Sequence, residues 1–287
     1  MWGSLPDFVA ADWYQQFGDA AFAVAEVMNT PGPIAIRARG DRDTLASRLR
    51  AEGMEVAPGR LAPDALRLSG RPDIRGSAAW RDGAFEVQDE ASQMVAVAVD
   101  ARPGEAVIDL CAGAGGKTLA LAAAMADSGT LWACDVDGAR LRDLEVRLGR
   151  VDSPAVRVVD LNVSAPPGGA DRVLVDAPCS ATGTWRRGPD RKWRVSAVEV
   201  ESLASLQLDL LRRAFSLVRP GGRIVYATCS LLSAENAEVA SAFAASADVE
   251  AVPVWPGASP CETLRPDEHD TDGFFVAAFV RLLPSAG

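Results

Sequence analysis

From residue 104 onwards, short apolar runs alternate with helical stretches, and this alternation constrains the fold more than anything else in the chain. The runs are AVIDLC (106–111), TLWACD (130–135), VRVVDL (156–161), RVLVDA (172–177), RIVYATCS (223–230), VEAVPV (249–254) and GFFVAAFVRLL (273–283). Between them lie KTLALAAAMA (117–126), GARLRDLEVRLGR (138–150), the long amphipathic AVEVESLASLQLDLLRRAFSLV (197–218) and AENAEVASAFAAS (234–246). The first is rich in helix formers, and the third stops at RPGG, a helix stop signal. The pattern predicts a parallel sheet with helices on both faces. No helix separates the last two strands, so one of them is expected to run antiparallel. In such sheets, ligands bind beyond the carboxyl ends of the strands.

The first hundred residues read differently. PIAIRARG (33–40) and ALRLSG (65–70) are strand-like, and DRDTLASRLRAEGM (41–54) is an amphipathic helix. Ten arginines face six acids between Arg37 and Arg81. A small, locally basic α/β accessory domain is predicted over residues 1–85, followed by a second domain over 86–287. The chain is 48% hydrophobic and 24% charged, enough for a sizeable core and too apolar for disorder. No apolar run reaches the ~20 residues that span a bilayer. MWGSLPDFVAADW lacks a basic region followed by an apolar core, so a cytoplasmic protein is expected.

Five cysteines, Cys111, Cys134, Cys179, Cys229 and Cys261, are widely spaced, and His269 is the single histidine. Without clustered ligands a metal is not expected. Cys134 and Cys261 read as small buried hydrophobes, and His269 as a surface or packing residue. The net charge of −10 speaks mildly against nucleic acid. A local basic surface can still hold phosphates on an acidic protein. RRGPDRKWR (186–194) sets five basic residues against one aspartate. Arg186, Arg187, Arg191 and Lys192 are candidates for RNA contact. Trp185 and Trp193 suit either stacking on bases or packing, and Phe274 and Phe275 read as core.

DLCAGAGGKT (109–118) follows the first strand of the alternating region and opens a helix. A P-loop would need glycine at position 111, which is Cys111; a dinucleotide fingerprint would need it at 118, which is Thr118. The carboxylates discriminate further. Asp109, Asp135, Asp160 and Asp176 each end a predicted strand. Together they would repel a pyrophosphate but suit a ligand with a sulfonium, an amine and a ribose, namely S-adenosylmethionine. Each could instead cap the helix that follows.

Cys179 in DAPCSATG (176–183) and Cys229 in YATCSLLSAEN (226–236) both fall at strand ends. A thiolate can add to C6 of a pyrimidine and make C5 nucleophilic, and a carboxyl group at the N3 edge, such as that of Asp176, assists the addition. The base must then lie in a single strand or be flipped out.

These segments, with QDEAS (88–92), DLCAGAGGKT, RRGPDRKWR and DGFF (272–275), occur in the order found in the RNA cytosine-C5 methyltransferases of the Sun and nucleolar-protein type, which the chain resembles over roughly residues 30–283. The resemblance implies a Rossmann-like, seven-stranded S-adenosylmethionine-dependent methyltransferase sheet with a small N-terminal α/β domain. It implies that Cys229 is the attacking thiol, that Cys179 aids product release, and that Asp176 touches the base. Cys111, Ala112, Gly113, Gly115, Lys117, Asp135, Arg140, Asp160 and Asp176 are the residues it places at the cofactor. It implies an RNA substrate, ribosomal or transfer RNA, no metal, no membrane and a monomer. The glycine turn departs from the family's APGGKT, since Gly113–Ala114 replace Ala–Pro. Ribosomal RNA members often carry an N-terminal helical domain, and this chain is expected to begin too close to the small domain to include one. Two alternatives stay open: a catalytically silent RNA-binding protein with the same fold, and a DNA cytosine methyltransferase.

Overall fold

The computed structural model describes residues 4–284. The chain forms two compact units, Met1–Gly32 with Pro167–Gly287, and Pro33–Pro166. These units divide the chain at Gly32/Pro33 and Pro166/Pro167, and the small sheet of residues 34–87 falls in the same compact unit as the strands that follow it.

Two helices that the sequence reading missed, α1 (Asp7–Phe17) and α2 (Ala20–Val27), belong to the first unit. Leu5, Val9, Trp13, Val24 and Met28 pack there with Trp185, Val200, Leu231 and Leu232. The rings of Trp13 and Trp185 lie 6.0 Å apart. Trp185 is thus core, and its alternative reading as a base-stacking residue is withdrawn.

The second unit opens with β1 (Ile34–Ala38), α3 (Arg42–Ala51), β2 (Val56–Pro58), β3 (Ala65–Leu68), α4 (Ala78–Arg81) and β4 (Phe85–Val87). The strands pair antiparallel in the order β2-β3-β1-β4, the split βαβ arrangement of ferredoxin-like domains. The three-residue strands β2 and β4 were too short to carry a visible period. Asp41 caps α3 by accepting from Thr44 N at 2.8 Å. The sheet buries Ile36, Leu49, Leu66 and Phe85.

After α5 (Glu90–Val99) come β5 (Ala106–Asp109), α6 (Gly116–Ala124), β6 (Thr130–Asp135), α7 (Gly138–Val151) and β7 (Val156–Asp160). β5, β6 and β7 run parallel. The small sheet is fastened to these elements by charge. Arg39 pairs with Asp127 at 2.8 Å, and Arg150 donates to Glu86 while its guanidinium lies 3.6 Å from the Trp80 ring centre.

The first unit continues with β8 (Ala170–Asp176), α8 (Ala197–Leu217), β9 (Val218–Thr228), α9 (Ala237–Ser246), β10 (Val249–Ala251), β11 (Cys261–Leu264), α10 (Pro266–His269) and β12 (Phe274–Arg281). β8 and β9 are parallel; β12 is antiparallel to β9 and to β10, as the missing helix required. Ala170 pairs with Val218 and Arg172 with Arg223, so the RPGG stretch loops out of register. β11 is an eighth strand beyond the seven expected, a hairpin partner of β12. On it Cys261 is exposed, against the reading of a buried hydrophobe, whereas Cys134 is fully buried. Among the described residues, no helix is long and apolar enough to cross a membrane.

Candidate active site

The four aspartates close four strands: Asp109 is the last residue of β5, Asp135 of β6, Asp160 of β7 and Asp176 of β8. In the second unit, three of them organise the glycine turn and its surroundings. Asp135 accepts from Gly113 N at 2.8 Å through one oxygen and from Asp137 N at 2.9 Å through the other. Each carboxylate oxygen keeps a further lone pair for a ligand hydroxyl. Buried Asp109 accepts from Thr118 Oγ1 at 2.7 Å, which ties the first turn of α6 to the end of β5. Asp160 accepts from the backbone and side chain of Asn162. Asp137, not Asp135, caps α7.

Gly115 precedes α6 at φ 86°, and a Cβ there would lie 2.2 Å from Leu144 Cδ1. The turn is therefore packed against α7 with no room for a side chain. Gly115→Ala is expected to cost about 1–3 kcal/mol through the left-handed backbone and the overlap with Leu144. A fall in the urea midpoint at unchanged m-value would register it. Cys111 is half-buried, Ala112 and Lys117 are buried, and Arg140 is exposed with its guanidinium lying toward Gly113.

In the first unit, Cys179 lies three residues beyond β8 and Cys229 one residue beyond β9. Their sulfurs are 3.3 Å apart and hydrogen-bonded, and both thiols are free. The bond to Cys229 pushes the Cys179 thiol well above the usual thiol range, and burial and the nearby Cys229 and Glu235 add to this. Cys179 therefore keeps its proton at neutral pH, and either sulfur can donate in the pair.

The serine after each cysteine has a partner that the sequence reading missed. Fully buried Glu235 accepts from Ser180 N at 2.8 Å, from Ser180 Oγ, from Ser230 Oγ at 2.6 Å and from Gln207 Nε2 at 3.1 Å. Gln207 also donates to Pro178 O at 2.9 Å, and the Tyr226 hydroxyl donates to Glu235 O. Thr182 Oγ1 accepts from Leu231 N at 2.8 Å, and Gly183 N donates to Cys229 O at 2.9 Å. A Cβ on Gly183 would sit 2.1 Å from Gly273 O, so these two backbones meet only because position 183 is glycine. The signals that could have revealed this network are the repeated Cys-Ser pair and a polar Gln207 on the buried face of α8.

The basic loop forms two 3-10 turns, Thr182–Arg187 and Pro189–Trp193. It does not present all of its charge. The Arg186 side chain is 1% exposed and pairs with Asp272 at 3.0 Å, and buried Lys192 donates to Asn29 Oδ1. Neither can serve as a phosphate contact in this arrangement, which corrects both expectations. Arg187 also pairs with Asp272 but is partly exposed, whereas Arg191 and Trp193 are exposed. Asp272 thereby explains the acid of DGFF. Phe274 and Phe275 are buried, and His269 is half-buried in α10, its Nδ1 3.2 Å from Arg265 N. Among the described residues, no group of three or more His, Cys, Asp or Glu is placed to hold a metal.

Parallel strands that end in carboxylates, a glycine turn entering the helix after β5 and a close thiol pair define a Rossmann-like methyltransferase fold. Comparison with known proteins agrees. The family model described as 16S rRNA methyltransferase RsmB/F matches residues 96–280, and one described as an RsmF/B-like ferredoxin-like domain matches residues 5–75. The chain belongs to the RsmB/F methyltransferase family. It is 36% identical over 290 residues to ribosomal RNA small subunit methyltransferase B of Xylella fastidiosa, covering 96% of this chain and 68% of that relative. It is 33% identical over 251 residues to probable ribosomal RNA small subunit methyltransferase B of Bacillus subtilis, covering 84% of this chain and 56% of that relative. The chain thus spans between about half and two thirds of these curated relatives. A crystal structure of a methyltransferase homolog protein from Pyrococcus horikoshii matches with TM-score 0.85 and 29% identity, over 98% of this chain and 96% of that one.

Proposed function

We propose that the chain methylates C5 of cytosine in RNA, with ribosomal RNA favoured over transfer RNA and S-adenosylmethionine as methyl donor. The observation that carries this reading is the 3.3 Å approach of Cys179 and Cys229. A silent binding protein would have no use for two thiols held together by a buried network.

When bound, S-adenosylmethionine supplies an electrophilic methyl group on a sulfonium. Gly113, Gly115, Lys117, Asp135 and Asp160 would hold it, with Cys111, Ala112 and Arg140 on or beside the same turn. The turn fits such a ligand, since a side chain at Gly115 is excluded and Asp135 retains acceptor capacity.

Cys229 gives its thiol proton to water, and its Sγ adds to C6 of the cytosine; the S–C6 bond forms as the C5–C6 π pair moves to C5. Asp176 holds the N3 edge while this charge develops. The nucleophilic C5 is methylated and then carries both hydrogen and methyl. Cys179 changes role at this stage. Once Cys229 is a thioether its hydrogen bond and charge no longer raise the Cys179 pKa, while burial and Glu235 still do. Cys179, after giving its own proton to water, is the base that takes the C5 proton. The C5–H pair re-forms the double bond, and the S–C6 pair returns to Cys229 as the product departs.

Arg187, Arg191 and Trp193 would meet the RNA. A cytoplasmic location fits five cysteines without a disulfide.

The test is a nucleoside digest after incubation with S-adenosylmethionine and either small-subunit ribosomal RNA or bulk transfer RNA. New 5-methylcytidine is expected in the ribosomal RNA. Methyl groups found on any other atom would overturn the reading.

A further inference from the structure

Asn236 takes no part in the steps above, yet its side chain closes a ring around the turn that carries Cys229. Asn236 Oδ1 accepts from Thr228 Oγ1 at 2.6 Å, and Asn236 Nδ2 donates to Ser230 O at 3.0 Å. Ser230 N donates in turn to Thr228 Oγ1 at 3.2 Å. The residues on either side of Cys229 are thus tied to each other and to one amide. Thr228 and Ser230 are fully buried and Asn236 is 3% exposed, whereas Cys229 is half-buried. The ring is sealed from water, and the thiol it surrounds is open to a substrate.

Chemistry allows the ring only one direction. A carbonyl only accepts, so Ser230 O must face the NH2 of Asn236, and Oδ1 must face Thr228. The Thr228 hydroxyl then gives its single proton to Oδ1, which leaves its oxygen to accept from Ser230 N.

The ring acts on the main chain. Thr228 ends β9, where it pairs with Phe275 of β12. Cys229 O accepts from Gly183 N at 2.9 Å. Ser230 is held at both its N–H and its C=O, so the backbone is fixed before, at and after Cys229. Backbone conformation decides which rotamers a side chain can adopt. Here the Cys229 sulfur lies 3.3 Å from that of Cys179. Glu235 does a different job, since its carboxyl accepts from the hydroxyls of Ser180 and Ser230. The 3-10 turn Ser233–Glu235 therefore delivers two neighbours to two tasks, Glu235 to the serine hydroxyls and Asn236 to the main chain around the thiol.

We infer that Asn236, acting with Thr228, is a positioning residue that aims the Cys229 thiol. Its role in catalysis rests on the methyl-transfer reading; its placement of the sulfur does not. Thr228→Val keeps the shape and removes the hydroxyl, so Ser230 N loses its acceptor and Asn236 Oδ1 its donor. Thr228→Ser keeps the hydroxyl. Asn236→Asp turns a carboxylate oxygen toward Ser230 O.

Two readouts on the whole chain, each corrected for the folded fraction by urea unfolding, test this. The first needs no RNA. The thiol pair exchanges with oxidised glutathione to give the Cys179–Cys229 disulfide and two reduced glutathiones, and peptide masses at equilibrium give the effective concentration of one sulfur at the other. The second is single-turnover methyl transfer to small-subunit ribosomal RNA, with its half-saturation by RNA. Thr228→Val and Asn236→Asp are expected to lower the effective concentration at least ~10-fold and the transfer rate roughly 10²-fold, the scale of a displacement of about 1 Å at reacting groups. Half-saturation should stay unchanged, and Thr228→Ser should restore both readouts. A wild type that closes its thiol pair but methylates no RNA refutes the methyl-transfer reading and leaves this inference to be decided by glutathione. Thiols that do not pair in wild type, or pair equally well in Thr228→Val and Asn236→Asp, overturn it. So does a loss that Thr228→Ser shares, or a variant that is less stable but transfers at the wild-type rate per folded molecule.

Discussion

Cys229→Ala should reduce 5-methylcytosine formation by about 10⁴-fold or more, the scale on which an enzyme loses activity with its nucleophile. Without that sulfur no bond forms at C6, and C5 of cytosine stays inert. Stability should change little, because Cys229 is half-buried and, among the described residues, its side chain bonds only Cys179. Cys179→Ala should differ in kind. Attack at C6 still proceeds, but the residue that takes the C5 proton is gone, so a covalent protein–RNA species should accumulate. Single-turnover assays on both variants check this. Fast methyl transfer with slow release in Cys179→Ala, and no transfer in Cys229→Ala, is the expected pair of outcomes. The opposite pairing would exchange the two roles.

Glu235→Gln should cost about 3–5 kcal/mol of stability, with the urea midpoint falling accordingly. The carboxyl accepts four hydrogen bonds, three of them from the serines that follow the cysteines. An amide in its place turns one acceptor into a donor and aims it at groups that also donate. Each buried polar group left unsatisfied costs ~1–3 kcal/mol, and a connected network fails together. Activity should fall further than folding explains, by roughly 10²-fold in the folded fraction, since a displacement of about 1 Å at reacting groups has that effect. Ser180→Ala, which removes one hydroxyl donor and leaves Glu235 in place, should be much milder. Equal stability of wild type and Glu235→Gln would show that the network does not hold the thiols.

Much of the fold was legible because its signals are local. The strand-end aspartates at 109, 135, 160 and 176 follow unbroken apolar runs, and the structure ends β5 to β8 on those residues. The lack of a helix before GFFVAAFVRLL required the antiparallel β12. Other features depend on distant partners. Arg186 and Lys192 look like surface charge in RRGPDRKWR, yet Asp272 and Asn29, far away in sequence, take them inside. AAFAVAEV in α2 is apolar on nearly every face, so no amphipathic period marks it. SAEN resembles the start of a helix, but Ser233–Glu235 form a 3-10 turn and α9 begins at Ala237. That turn drives Glu235 inward. Which cysteine attacks was not legible from spacing at all; resemblance alone assigned it.

The most direct test of the central claim is a covalent trap. RNA containing 5-fluorocytosine is incubated with the protein and S-adenosylmethionine, and complexes that survive denaturation are counted for wild type, Cys229→Ala and Cys179→Ala. Fluorine at C5 blocks the final proton removal, so any sulfur that attacks C6 stays attached. An adduct in wild type and Cys179→Ala that is absent from Cys229→Ala is the predicted result. An adduct that persists in Cys229→Ala, or none in wild type on RNA that it methylates, would contradict attack by Cys229.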